Sequence, residues 1–529
     1  MANIGDAKIA TSHVDSEPYN SEGGEDNVFI SEKEGTTADR RDMARMGKRQ
    51  ETRRNFRHIT ILGFTMVILS TWEAQLSTAV YALGNGGTAG LIWGYFIVFI
   101  GFGFVVASMA EMASMAPTSG GQYHWVSEFA PPSAQRFLSY LVGWLGVLGW
   151  QTATATVSYL AGHQIQGLIK LNYPSYEPKA WQGTMLIWAI LAICLVFNAF
   201  FSKRLPLVEG IIVILHIAGF FAILIPLWVM ADRAPTKDVF TLFVDNMGWG
   251  NVPLSTILGF VGAASSFVGI EAGAHMAEEV RDAAYVIPRS MMWTWLGNGL
   301  FGWIMGITFC YCVTDTLGVL MTPLEVPFIQ VFYNTTGSVG GATGMTVLML
   351  IIAIFACVAV MAAGSRQLFA FARDQGVPFS GFFGKISPSA EIPLNAIVLT
   401  LIFVVILSLI NIGSGVAFMQ IISLGVSAML TTYIISISCV ALKRIRGEPL
   451  LPSKFNLGKL GLPINIIAVL FLLFIYCFVF WPTAPHPTAS GMNWAILIYG
   501  SVLIFASIYY VVRARHRYVG PVEYTRKGQ

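Results

Sequence analysis

Long apolar runs separated by short polar segments fill the chain from Ile59 onward. Twelve of them are long enough to cross roughly 30 Å of hydrocarbon as helices. They cover 59–84, 90–116, 137–169, 180–201, 207–231, 254–280, 290–313, 340–372, 394–411, 417–442, 463–482 and 493–512. This pattern predicts an all-α polytopic membrane protein with twelve transmembrane helices, here called spans one to twelve. Residues 1–58 are polar and then basic; they cannot bury a core and are expected to form a disordered cytosolic tail. No apolar signal segment precedes Ile59, so span one is expected to serve as the targeting signal. Residues 59–512 form the expected membrane domain, and 513–529 a second cytosolic tail.

Charge orients this array. Of the 32 Lys and Arg residues, all but Lys170, Lys179, Arg233 and Lys237 fall on one side if the amino terminus is cytosolic. The positive-inside rule therefore predicts both termini in the cytosol. Charged residues make up 12% of the chain against about 25% in soluble proteins. The basic residues thus serve topology, and the net charge of +3 does not suggest a nucleic-acid partner. Six cysteines lie in apolar runs without metal-ligand company, so packing is their expected role and no metal site is expected. The sequon Asn334, Thr335, Thr336 falls in an expected outer loop, which makes Asn334 a candidate glycosylation site.

Span six carries the strongest chemical signal. Glu271 lies in the segment FVGIEAGAHMAEEVRDAAYVIPRS, residues 267–290. An ionised carboxylate at the bilayer centre costs at least roughly 2.5–3.5 kcal/mol, so its retention points to use. Gly262, Gly269 and Gly273 weaken the helix around it. Broken membrane helices are tolerated where they line a cavity, and transporters bind solutes there. No H-E-x-x-H, G-x-S-x-G or paired-aspartate signature appears in the spans, so an enzyme is not expected. No ring of charge suggests a channel.

Three stretches resemble the amino acid–polyamine–choline permease superfamily. They are 267–290, with its F-x-G-x-E and downstream I-P-R, EMASMAPTSGGQYHW at 111–125, and SRQLFAFARDQGVPFS at 365–380. The last, and TWEA in span one, are most similar to the fungal amino acid/choline branch, which includes choline and GABA permeases. The resemblance implies a five-plus-five inverted-repeat core of the LeuT-like kind with two added carboxy-terminal helices. It implies that spans one and six are discontinuous around the substrate, and that the coupling ion is the proton, sodium remaining open; no other cofactor is expected. The superfamily's unwound Gly-x-Gly in span one maps onto Trp72, Glu73 and Ala74, where the glycines are absent. A tryptophan beside a carboxylate suits a quaternary ammonium group.

The reading at this stage is a proton-coupled permease for choline or a related small organic amine. A GABA, amino acid or polyamine permease is the alternative, and a non-transporting nutrient sensor the second. The expected substrate site comprises Trp72, Glu73, Ala74, Phe267, Gly269 and Glu271. Glu271 is the expected proton carrier, with His275 one helical turn away as a possible relay. His163 and His216 read as lone structural residues. Glu111 and Glu209 read as acids near the cytosolic ends of spans two and five, where pairing or solvation comes at little cost. Glu278, Glu279, Arg281 and Arg289 read as gate or loop ion pairs. The expected partners are the small solute and the bilayer, with oligomeric state open. The plasma membrane is the expected location, with the vacuolar membrane as alternative.

Overall fold

The computed structural model describes residues 29–522 apart from 32, 34, 325, 388–390, 414, 483 and 490, with backbone alone for 29–31 and 415–419. Helices occupy all twelve expected stretches. Span one runs through His58–Leu69, Thr71–Ser77 and Ala79–Gly84. Spans two to five are Gly87–Met115, Gln135–Asn172, Ala180–Phe200 and Leu205–Met230. Span six is Val252–Ser265 followed by the short turns Ala272–His275 and Ala277–Glu279. Spans seven to ten are Ala283–Cys312, Val339–Arg373, Leu394–Ser408 with Ile410–Gly413, and Gly415–Ile445. Gly461–Val479 and Ala495–Val512 complete the set.

Among the described residues, nine helices are both long and apolar enough to cross a membrane. Span six falls short because its intact helix has 14 residues. Spans three and seven, at 38 and 30 residues, are long enough but less apolar. Two hydroxyls of span three are satisfied within the helix: Thr152 and Thr154 donate to the Leu148 and Trp150 carbonyls four residues back.

Span two packs along span seven, and span three along span eight. This offset of five, together with breaks in spans one and six, matches the two-fold repeat that the resemblance implied. Spans eleven and twelve lie at the edge: span eleven touches spans ten and two, and span twelve touches spans three and ten.

Both described chain ends meet the same end of the bundle, as an even number of crossings requires. The amino-terminal expectation needs correction. Residues 1–28 lie outside the described set, but 35–57 form a strap with defined structure. Thr36 caps the helix Thr37–Arg45 in a reciprocal capping box with Asp39. Asp39 also accepts from the Asp282 and Ala283 amides at 2.9 and 3.1 Å, which caps span seven. Arg54 is buried, pairs with Asp39 at 3.2 Å, and donates to the Ala277 and Val280 carbonyls. Phe56 joins the 279–281 backbone as an added β-bridge. The strap is ordered because span six unravels here and leaves carbonyls that need donors. At the carboxy terminus Tyr518 is buried against Tyr140 and Phe371, so that tail begins later than residue 513. Residues 523–529 lie outside the described set.

Candidate functional site

The helix of span one breaks at Ser70, which adopts left-handed φ and ψ of 37° and 53°. Its hydroxyl caps the Val67 carbonyl at 2.5 Å. The helix restarts at Thr71, so its first-turn amides have no carbonyl one turn back. The unwound point thus lies ahead of Trp72, Glu73 and Ala74, which are helical. Span six breaks between 266 and 271, where Gly269 sits at φ 95° and donates its amide to the Tyr433 hydroxyl at 3.0 Å.

A cavity of about 120 Å³ lies between the two breaks. Leu69, Ala74 and Thr78 of span one face Gly269 and Val268 of span six across it. Trp150 and Thr156 of span three, Val360 of span eight and Met429 of span ten also line it, and among the described residues the wall contains no charged side chain. The Thr78 hydroxyl is committed to the Ala74 carbonyl at 2.8 Å. The Thr156 hydroxyl is buried without a hydrogen-bond partner among the described residues.

Of the expected substrate residues, Ala74 and Gly269 line this cavity. Trp72 does not. It is fully buried, with its ring centroid 5.9 Å from His216 and 6.2 Å from Phe220. Glu73 points away from the cavity, with Oε1 2.7 Å from His216 Nδ1. His216 is therefore not a lone residue. Phe267 is buried among Tyr95, Phe99 and Phe102. Glu271 lies behind the break, where it accepts a hydrogen bond from the Tyr433 hydroxyl. That one hydroxyl thus ties both Gly269 and Glu271 of span six to span ten.

His275 makes no relay with Glu271. Its Nδ1 faces the Ser119 carbonyl at 3.0 Å, and its Nε2 faces the Trp150 indole N–H at 3.0 Å. A carbonyl only accepts and an indole only donates, so His275 is the neutral Nδ1–H tautomer with both nitrogens occupied. Its observable effect is to hold the Trp150 ring in the cavity wall. Trp150 and Thr156 were not singled out from sequence, because one indole and one hydroxyl in a long span look like packing.

Ion pairs hold the unravelled last turn of span six to span eight. Glu278 binds Arg373 through two bonds of 2.7 and 2.9 Å, and Glu279 binds Arg366 at 2.9 Å. Arg281 instead donates to the Arg54 carbonyl, and Arg289 stacks on Tyr285. Glu111 is paired with Arg444, as a buried acid requires. Glu209 departs from expectation. It is fully buried, and neither carboxyl oxygen has a hydrogen-bond partner among the described residues. Asn334 is exposed, but its sequon lies inside the helix Pro327–Thr336.

Comparison with known proteins agrees with this architecture. A sequence profile described as amino acid permease matches residues 55–502. A Macrophomina phaseolina protein provisionally named an amino acid/polyamine transporter is 31% identical over 82% of this chain and 96% of its own. An uncharacterised amino-acid permease of Schizosaccharomyces pombe is 29% identical over 91% and 88%. The choline transporter of Saccharomyces cerevisiae is 25% identical over 88% and 82%. Helices broken on either side of one cavity, in a multi-pass membrane protein with this coverage, make the chain a transporter belonging to the amino acid permease family.

Proposed function

We propose that the protein carries a small zwitterionic amino acid by alternating access around the cavity between the Ser70 and Gly269 breaks. One observation carries the reading: the wall of that cavity contains helix breaks, hydroxyls and an indole, but no charged side chain among the described residues. A zwitterion needs none. Its carboxylate suits the first-turn amides after Ser70, where the half-helix dipole is positive. Its ammonium group suits the Trp150 face and the carbonyls freed by the breaks. A polyamine would bring uncompensated positive charge into the same wall.

Choline is the second reading. Trp72 and Glu73 no longer support it, since neither lines the cavity, but the Trp150 face suits a quaternary ammonium group. We take the proton as coupling ion and the plasma membrane as location, with both termini cytosolic.

The test is uptake into liposomes reconstituted with the purified protein. The panel is labelled alanine, GABA, lysine, putrescine and choline. Saturable alanine or GABA uptake that choline does not inhibit is expected. Saturable choline uptake unaffected by alanine and GABA would overturn the substrate reading. A folded protein that moves no panel solute would favour the sensor reading.

A further inference from the structure

On the face of span one turned away from the cavity, three buried side chains form a chain that substrate binding does not use. Glu73 Oε1 lies 2.7 Å from His216 Nδ1, and His216 Nε2 lies 3.1 Å from Asn298 Oδ1. Asn298 Nδ2 donates to the Met66 carbonyl at 2.9 Å. These contacts place the protons. A carbonyl only accepts, so Asn298 presents its nitrogen to Met66 and its oxygen to His216. His216 Nε2 must then carry a hydrogen. Its Nδ1 faces a carboxyl oxygen at hydrogen-bond distance, so one further proton sits between them and belongs to the pair. With that proton the pair is neutral overall, and in a buried site with no other charge beside it the pair rests as carboxylic acid and imidazole. Without it, the Nδ1 lone pair faces an anion in a site that is closed to water.

The surroundings offer no substitute. Trp72 and Phe301 pack against the imidazole, and Glu73 Oε2 has no partner among the described residues. The other titratable groups on the packed elements are spent or distant. His58 starts span one, and Lys203 and Arg204 precede span five. Glu209 lies two turns along span five from His216. In span seven Arg289 stacks on Tyr285. In span eight Arg366 and Arg373 hold Glu279 and Glu278. The helix Pro327–Thr336 contributes Tyr333 alone. None of these makes a hydrogen bond or ion pair with Glu73 or His216.

We propose that the Glu73–His216 pair, with Asn298 fixing the imidazole, binds the proton that is carried with the substrate. The proposal rests on the proton-coupled reading above and assigns that proton away from Glu271. The geometry gives it a mechanical meaning. The chain starts on span one after the break and returns to span one before it, at the Met66 carbonyl that also accepts from the Ser70 amide at 2.9 Å. Protonation holds the helix Thr71–Ser77 to spans five and seven. When the proton leaves to water, repulsion separates Glu73 from His216 and frees that helix, whose other face lines the cavity at Ala74. Glu271, held by Tyr433, is then a tie across the second break.

Infrared difference spectra of the full-length protein in liposomes, recorded on a pH jump, test proton binding without any substrate. Wild type should show a carboxylic-acid carbonyl change that is missing in Glu73→Gln. The same variant presents an amide N–H to Nδ1 and mimics the protonated pair. It should exchange the panel solute that wild type accumulates, yet lose accumulation driven by a pH gradient. Glu271→Gln should keep that accumulation. A carbonyl change that survives in Glu73→Gln, or undiminished pH-driven accumulation, would overturn the assignment. If Glu73→Gln is not recovered folded, His216→Gln should move the carbonyl midpoint by about tenfold in proton affinity or more; an unmoved midpoint overturns it equally. If wild type moves no panel solute, the permease reading fails while the spectra still decide the proton site.

Discussion

Truncating Arg54 tests whether the amino-terminal strap holds one end of the transport path shut. Its guanidinium donates to the Ala277 and Val280 carbonyls at the unravelled end of span six, and to Gln50 Oε1 at 3.0 Å. It also pairs with Asp39 at 3.2 Å, with both side chains almost fully buried. Arg54→Ala removes these bonds, leaving the Val280 carbonyl without a donor and the Ala277 carbonyl with the Val280 amide at 3.3 Å. Breaking a buried charge pair costs about 3–5 kcal/mol. At about 1.4 kcal/mol per tenfold, the strap's opening equilibrium should rise roughly 100- to 4,000-fold. Arg54→Lys keeps the charge but not the fork, and should give roughly a tenfold rise. Hydrogen exchange of the 36–57 amides in the reconstituted protein reads this directly. The thermal midpoint checks that the bundle itself stays folded. Exchange protection in Arg54→Ala within a few-fold of wild type would refute the reasoning, and the strap would then be held by its other contacts.

Gly269→Ala should lower the thermal midpoint by the equivalent of about 1–2 kcal/mol, since only glycine takes φ 95° freely; the new Cβ has 3.5 Å to Trp150, so an unchanged midpoint would mean that the backbone had rearranged. Trp72→Leu should cost about 2–4 kcal/mol in stability through lost packing and leave solute KM unchanged, because the ring does not line the cavity. Glu209→Gln breaks no ion pair, so its melting curve should match or exceed wild type, and a fall of several degrees would reveal a partner. Endoglycosidase should not shift the protein's mobility, because Thr336 of the sequon is helical and donates to the Phe332 carbonyl at 2.9 Å.

The helical spans were legible because a bilayer demands long apolar runs. The break in span six was legible because Gly269 occupies a backbone region that other residues avoid. The break in span one was implied by the resemblance but placed at Trp72, Glu73 and Ala74 rather than at Ser70, since Ser70 carries no such mark and takes the left-handed turn by capping Val67. Glu73 stood out as a charge within a span, but its meaning did not follow. Its partner His216 lies 143 residues along the chain, and only packing of span five on span one brings them together. The strap was misread for a similar reason. Its polar composition matches a tail that cannot build a core, yet its donors answer carbonyls that another span leaves open.

The contact between Arg54 and Ala277 joins residues 223 positions apart. During synthesis the strap therefore leaves the ribosome long before its docking site exists. Spans one to five can insert while residues 35–57 lack their partners in spans six and seven and have the Met115 carbonyl of span two for Arg45. Only when the start of span seven follows span six can Asp39 reach the Asp282 and Ala283 amides. The strap is thus among the last parts of the chain to settle, and its docking follows the arrival of the unravelled end of span six. A chain truncated within span six lacks the Asp282 and Ala283 amides that Asp39 binds, so its strap would have no such docking site.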